Sequence, residues 1–421
     1  MNEKVSPKQK EKSSILTHRV YNETNDERRE FARDRDRIIH ARSFRRMMHK
    51  TQIFNANAGD HFRNRLTHTL EVMQIARSLG RLMSLDEDLI EAIALGHDLG
   101  HTPFGHVGER TLHNILMYGI DGNIPATEQG FKHNYQSVRI VESIEARCDE
   151  YQGINLTLAT KEGIIKHTGL TVSSKNSERK ELVRYSSKDL DTSLLRMDLE
   201  FSFTLEGQVV AVSDEIAQIT HDIDDGIRGR IISFNDFIST PLFSMYNEDV
   251  SLRDASYNQR NKAIKGLVGF LINDVNMASS ERVKKYHSEN GIPSFENVSS
   301  VYESRCVWFS DKVGQTAEDL AIKRKKWILQ SKIISQADSK AEYIIRQLFK
   351  AYYKHPKELP DYILARYYGK SDIKEFDRGI IRDDELQKDP YFIRLICDHI
   401  AGMSDQFAAR EYNNLYVPEY C

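Results

Sequence analysis

The segment DEDLIEAIALGHDLG, Asp86 to Gly100, opens on three acidic residues, continues with apolar residues at helical spacing and ends on glycine. Acidic side chains suit the positive end of a helix, and a glycine suits its stop. His97 extends the stripe of Leu89 and Ile93 at i+4 spacing, and Asp98 extends that of Ile90 and Ala94, so both side chains are aimed toward a helix-packing face. A carboxylate placed there needs a compensating charge. A single histidine in such a position is most simply a satisfied core residue, so the pair gains meaning only from its company.

The same period recurs on either side. Arg65 to Met83 sets Leu66, Leu70 and Met73 on one stripe with Val72, Ile75, Ala76 and Leu79 beside it, and Gly80 weakens its end. Gln208 to Asp225 sets Val209, Val212, Ile216, Ile219 and Ile223 on one stripe that ends at Gly226, while Asp214, Gln218, His221, Asp222 and Asp225 share another face. Helical patterns continue through Trp327 to Ala351 and Pro390 to Tyr412, with turns at His355-Pro356 and Leu359-Pro360. Alternating β-branched runs are scarce and prolines number only nine in 421 residues. An all-α fold is expected. The polar stretch SSKNSERKELVRYSSKDLD, between Gly169 and Leu205, reads as an exposed excursion or a lid.

A formal net charge of -3 argues against a general polyanion binder, so any anion site must be local, as where Arg37, Arg42, Arg45, Arg46 and Lys50 gather. The first residues through Ser14 are polar and lysine-rich, and no long apolar run occurs, which leaves no sign of export or membrane insertion and points to the cytoplasm. Cys148, Cys306, Cys397 and Cys421 stand singly, as free thiols of a reducing compartment do.

Fifteen histidines are present, and seven of them (His61, His68, His97, His101, His106, His113 and His133) fall between positions 61 and 133. His68 on one helix, His97-Asp98 on the next and Asp214 on a later one would bring two imidazoles and two carboxylates to one point. That donor set suits one divalent metal ion of the Mg, Mn, Fe or Zn type with positions open to water and substrate. Such an ion would neutralise both carboxylates and acidify a water, as phosphate-ester hydrolysis near neutral pH requires. Directly after the pair comes LGHTPFGHVGE. If Gly105 opens a helix, His106 and Glu109 lie at i and i+3, where the carboxylate can orient the imidazole for proton transfer; an ordinary surface pair is the plainer alternative.

The segments RDRDRIIHARSFRRMMHKTQIF, RLTHTLEV, IALGHDLGHTPFGHVGE, FKHNYQS, LEGQVVAVSDEIAQITHDIDDGIR and IAGMSDQFAAREY resemble the deoxyguanosinetriphosphate triphosphohydrolase family of the HD-domain superfamily, over most of the chain from about Arg33 to Tyr412. The resemblance implies an HD-type catalytic core over 33–230, with its polar excursion at about 170–205. A polar segment, 1–32, precedes the core, and a C-terminal helical region, 231–421, packs on it. It implies His68, His97, Asp98 and Asp214 as metal ligands, and His106 with Glu109 as a proton-transfer pair near the α-phosphate. His101 and His133 would line a triphosphate channel, Arg65 and Lys166 (in IIKHTG) would contact phosphate, and Gln52 and Asp222 would contact the deoxyribose and its 3′-hydroxyl. Gln218 departs from the tyrosine that many relatives pack against the sugar.

The implied reaction is hydrolysis of a deoxynucleoside triphosphate (dNTP) to the deoxynucleoside and inorganic triphosphate, by attack on the α-phosphorus and departure of the 5′-oxygen. His106 serves as base or as acid in either version. Another HD phosphohydrolase, such as a nucleotide phosphodiesterase, would keep the metal set without the sugar readers. A regulatory protein that binds nucleotide or single-stranded DNA is the competing class. A homo-oligomer is implied, and a dNTP effector is left open. The basic run Arg28 to Lys50 reads equally as an oligomer interface, an effector site, a single-strand contact or a solvated helix.

Overall fold

A computed structural model describes residues 14–23, 27–53, 62–127, 129–147, 150–170, 192–247, 252, 255–369 and 376–418. Ser173 to Asp191 of the polar excursion, His61, Cys148, Cys421 and the first thirteen residues lie outside the described residues. The described chain is all-α, with isolated bridges and no strand. No helix among the described residues is long and apolar enough to cross a membrane.

Seven helices position the site: α1 (Glu30–His40), α2 (Arg65–Leu82), α3 (Glu87–Gly96), α4 (Gly105–Tyr118), α5 (His133–Arg139), α6 (Leu158–Lys166) and α7 (Leu205–Arg228). Asn64 and Thr67 form a reciprocal capping box at the start of α2, and Asp86 caps α3 by accepting from the Asp88 and Leu89 amides. The apolar stripes then do what their period implies. Val72, Ile75 and Leu79 of α2, Leu89, Ile90 and Ile93 of α3, and Val209, Val212, Ile216 and Ile219 of α7 bury together. Helices α8 (Tyr257–Asn290) and α9 (Asp311–Arg324) pack on α7 and extend this core.

Two boundaries depart from the periodic reading. Helix α2 runs straight through Gly80, because a side chain there would meet Ile90 Cδ1 at 2.3 Å and the glycine lets α3 approach. Helix α3 ends at Gly96, and His97 to Gly100 form a turn. That turn is seated on α5: Gly100 N donates to Ser137 Oγ at 2.8 Å, and Ser137 Oγ donates to His97 O at 2.8 Å. A Cβ at Gly100 would stand 2.2 Å from His133 O. Only glycine fits.

A second core joins α4 to α10 (Lys332–Lys354), α11 (Pro390–Ala401) and α12 (Asp405–Tyr416). The pattern read as one helix from Trp327 begins instead with a wide turn at Lys325–Leu329, and α10 starts where Ser331 accepts from Ile334 N. The pattern read as one helix from Pro390 breaks at Gly402, and Ser404 caps α12. The C-terminal helices are tied to α5 by a buried ionic cluster. Arg139 Nη2 meets Asp398 Oδ2 at 2.6 Å, Arg394 Nε meets Asp398 Oδ1 at 3.3 Å, and Gln136 bridges them.

Burial pushes the Asp398 carboxyl up, but Arg139 and Arg394 outweigh it and bring it down to about 2. Asp398→Ala would leave two buried guanidinium groups against one lost carboxylate, and it should destabilise the fold by about 3–5 kcal/mol. A carboxyl with a depressed folded-state pKa stabilises above its ordinary value of about 4 and loses that contribution as pH falls. The gap in urea midpoint between wild type and Asp398→Ala should therefore be full at neutral pH and close as the pH drops from about 4 toward 2. Equal midpoints at neutral pH would refute the role.

Candidate metal centre and active-site cleft

Helix α2 presents Arg65 and His68, the turn after α3 presents His97 and Asp98, and α7 presents Asp214 and Gln218. With His101, His106, His133, Lys166 and Gln52, most of these line one cleft of ≈ 280 Å³. His68 Nε2 lies 2.9 Å from Asp214 Oδ1, and His97 Nε2 lies 3.4 Å from Asp98 Oδ1 and 3.9 Å from Asp214 Oδ1. His68, His97 and Asp214 are buried, with ligand atoms all within 4.8 Å of one another, and the same holds for His97, Asp98 and His167.

One buried atom tests whether a metal fits. His97 Nδ1 lies 2.6 Å from the Ala94 carbonyl, an acceptor, so that nitrogen carries the proton and Nε2 is left with a bare lone pair. His97 Nε2 is buried and has no hydrogen bond among the described residues. A lone pair between two carboxylate oxygens is unfavourable unless a cation stands among them, and a divalent ion suits all three. Burial would raise the Asp98 carboxyl, yet His101, 3.0 Å from it, and the Arg65 guanidinium hold it well below the usual carboxylate range. Burial would raise Asp214 likewise, and its hydrogen bond to His68 outweighs that and lowers it. Both acids are anions held ready for a cation.

Other candidate residues have specific partners. Arg65 Nη1 donates to Asp98 Oδ2 at 2.7 Å. Lys166 Nζ pairs with Glu162 at 2.6 Å and donates to Arg196 O at 2.8 Å. Gln218 Nε2 donates to Asp214 Oδ2 at 2.9 Å. Gln52 Oε1 is buried and has no hydrogen bond among the described residues. Asp222, two turns along α7, is not part of the cleft lining and pairs with Arg324 at 2.8 Å.

The expected pair differs in detail. Gly105 does open α4, after Phe104 in the left-handed region at φ 62°. Glu109 makes its short contacts to His133, at 3.0 and 3.1 Å to Nδ1, whereas His106 Nδ1 lies 3.8 Å away on a side chain that is 66% exposed. His133 is buried and stacks on His101 with ring centroids 3.8 Å apart, so the carboxylate finds the better-fixed imidazole. The turn entering α4 is itself clamped from α12: Asp405 accepts from Phe104 N at 2.8 Å and from Thr51 N at 2.9 Å, next to Gln52. Lys50 is buried and donates to His101 O and to Ala401 O.

His167, directly after Lys166, carries no periodic or motif signal. It faces His97 and His133, and burial beside those rings lowers it to about 3. His221 was visible on the polar face of α7, but its contact with His68 was not. Phe201, Arg305 and Trp308 also line the cleft, with Arg305 4.6 Å above the Trp308 ring; no period or motif announces them. In the basic run, Arg29, Arg33, Arg35 and Arg37 pair with Asp86, Asp88, Glu23, Glu30 or Glu91. Much of its charge is met internally.

Residues 65–219 match the model of the HD domain, and residues 307–414 match that of the phosphohydrolase-associated domain. A deoxyguanosinetriphosphate triphosphohydrolase-like protein of Bartonella tribocorum is 34% identical over 402 residues, covering 93% of this chain and 90% of its own. Proteins of the same description from Rhodopseudomonas palustris and Geobacter sulfurreducens are each 35% identical, over 92% and 94% of this chain and 90% and 91% of theirs.

Protein stripped with chelator and reloaded should take up about one divalent ion per chain, as its four-donor set requires. Asp98→Ala and Asp214→Ala should each lose it under the same dialysis, measured by elemental analysis. Full metal retention in both variants would place the ion elsewhere.

Proposed function

The chain belongs to the deoxyguanosinetriphosphate triphosphohydrolase-like family, and from that membership and the cleft we propose that it hydrolyses dNTPs to the deoxynucleoside and inorganic triphosphate. One observation carries the reading: the orphaned His97 Nε2 lies 3.4 Å from Asp98 and 3.9 Å from Asp214, and His68, Asp98 and Asp214 line the cleft that Arg65, His101, His133 and Lys166 also line. When bound there, a divalent ion would balance the two carboxylates, polarise a phosphoryl oxygen and acidify water.

The remaining chemistry belongs to side chains. Arg65 sits beside Asp98 with a planar fork suited to a phosphate oxygen. Lys166 has two directions taken by Glu162 and Arg196 O, and its third N–H is free to donate toward phosphate. Stacked His101 and His133 wall the path for the triphosphate. His106, exposed at the cleft, carries the proton transfer, and Glu109 stands between it and His133. Gln52 lines the cleft and reads the deoxyribose, and Asp222, outside the lining and paired with Arg324, would exchange that partner for the 3′-hydroxyl. Phe201, Arg305 and Trp308 offer flat faces for a nucleobase.

The direct test is to incubate metal-loaded protein with each dNTP, singly and in mixtures, and to resolve the products. Deoxynucleoside with triphosphate supports the proposal, and pyrophosphate or a monoester assigns the cleft to another HD phosphohydrolase. His106→Ala should keep the metal and the fold while turnover drops by about two to four orders of magnitude, the usual scale for a lost acid or base. Glu109→Ala should act in the same direction. Unaltered turnover in metal-replete His106→Ala would put the proton transfer on another group.

Sugar selection gives a second expectation. Gln218 is smaller than the tyrosine of many relatives, and its amide can hydrogen-bond a hydroxyl, so steric exclusion of a 2′-hydroxyl should be weakened. Rejection by shape alone discriminates on the order of a hundredfold, and a required hydrogen bond does far better. Comparing kcat/KM for a dNTP, its ribo form and its 2′,3′-dideoxy form should show a deoxy preference smaller than in Gln218→Tyr, and a larger penalty for losing the 3′-hydroxyl. Equal values for all three substrates would remove Gln52 and Asp222 as sugar readers.

A further inference from the structure

His68 and His97 are held by different devices. His97 is oriented directly by a backbone carbonyl, at 2.6 Å from Nδ1. His68 Nδ1 instead meets another imidazole: His221 Nδ1 lies 3.3 Å away, and the two rings are nearly perpendicular, at 87°. The far side of His221 is anchored, since its Nε2 lies 2.9 Å from Glu71 Oε2. Glu71 in turn accepts from Arg63 Nε at 2.8 Å, and Arg63 Nη1 reaches Asp225 at 2.7 Å and Asp224 at 3.0 Å.

We infer that Glu71, acting through His221, positions His68 as a metal ligand by setting its tautomer. This rests on the assignment of His68 to the metal centre. The direction of each hydrogen bond is forced. A carboxylate only accepts, so His221 Nε2 must carry the proton that Glu71 receives. The neutral His221 ring is then bare at Nδ1, where it accepts from His68 Nδ1–H. Without an ion, His68 Nε2 donates to Asp214 at 2.9 Å; a divalent ion would take the place of that proton, and with Nδ1–H held on the His221 side, Nε2 is the atom left to ligate it. The orienting carboxylate usual behind a metal-bound histidine is thus present one imidazole removed. Glu71 lies one turn after His68 on α2 and His221 two turns after Asp214 on α7, so the relay also locks the two helices at the spacing the ligands need.

The test measures divalent-metal affinity, with Mn(II) competed by a chelator, alongside the thermal midpoint of the metal-free protein. Glu71 is 43% exposed at its side chain, so Glu71→Ala should fold. His221→Phe keeps a ring without an acceptor, and His221→Gln restores an acceptor. Loss of an outer-shell partner weakens metal binding by about 10–100-fold, and that range is expected for His221→Phe, with a smaller loss in Glu71→Ala and partial recovery in His221→Gln. A merely structural role would lower the metal-free midpoint without changing affinity, and that result overturns the inference. Wild-type affinity in both His221→Phe and Glu71→Ala overturns it while sparing the metal centre. Failure of the wild-type protein to bind any divalent ion overturns both.

Discussion

Two buried carboxylates, Asp98 and Asp214, come from different parts of the chain and share the His97 imidazole, and Asp214 also meets His68. Burying one such anion is costly, and burying two side by side is tolerable only with cationic or hydrogen-bonded compensation. Part of it is built in: Arg65 on Asp98, Gln218 and His68 on Asp214, and His101 at 3.0 Å from Asp98. The orphaned Nε2 of His97 marks what the protein alone leaves unanswered. A divalent ion would answer it, and α2, α3 and α7, with the turn after α3, form the framework that holds His68, His97, Asp98 and Asp214 near one another.

The second layer of constraint comes from the rest of the chain. Ser137 and the backbone of α5 shape the turn that carries His97 and Asp98, and Gly100 permits that close approach. From the C-terminal side, Asp405 holds both the segment leading into Gln52 and the left-handed turn before His106. Lys50 and the Arg139–Asp398 pair add two further ties. The C-terminal helices therefore do more than cover apolar surface. They set the positions of residues proposed for sugar recognition and proton transfer, which explains why the IAGMSDQFAAREY motif accompanies the histidine-rich segment in one chain.

Much of this was legible in advance because helical period and residue chemistry act locally. The stripes of α2, α3 and α7 dictate which faces meet and so bring His68 and Asp214 near each other, while His97 and Asp98 follow α3 in a turn held by Ser137. What period cannot convey is which of several acceptors a side chain chooses. Glu109 at i+3 from His106 was the natural pair on one helix, but the nearer imidazole belongs to α5, which a local rule cannot reach. Asp222 was aligned with Asp214 by spacing, while its ion pair to Arg324 of α9 is a long-range contact. His167, Arg305 and Trp308 carry no periodic signal, and the breaks at Ser331 and Gly402 show capping residues overriding an apolar pattern that runs on.

The proposed reaction makes one demand on the position of bond breaking: water must attack the α-phosphorus and the 5′-oxygen must leave with the nucleoside. Turnover of a dNTP in ¹⁸O-labelled water, read by mass spectrometry and ³¹P NMR of the products, tests that demand directly. The label is expected in the terminal phosphate of inorganic triphosphate and not in the 5′-hydroxyl of the deoxynucleoside. Label recovered in a nucleoside monophosphate, in pyrophosphate, or on the 5′-carbon oxygen would contradict it.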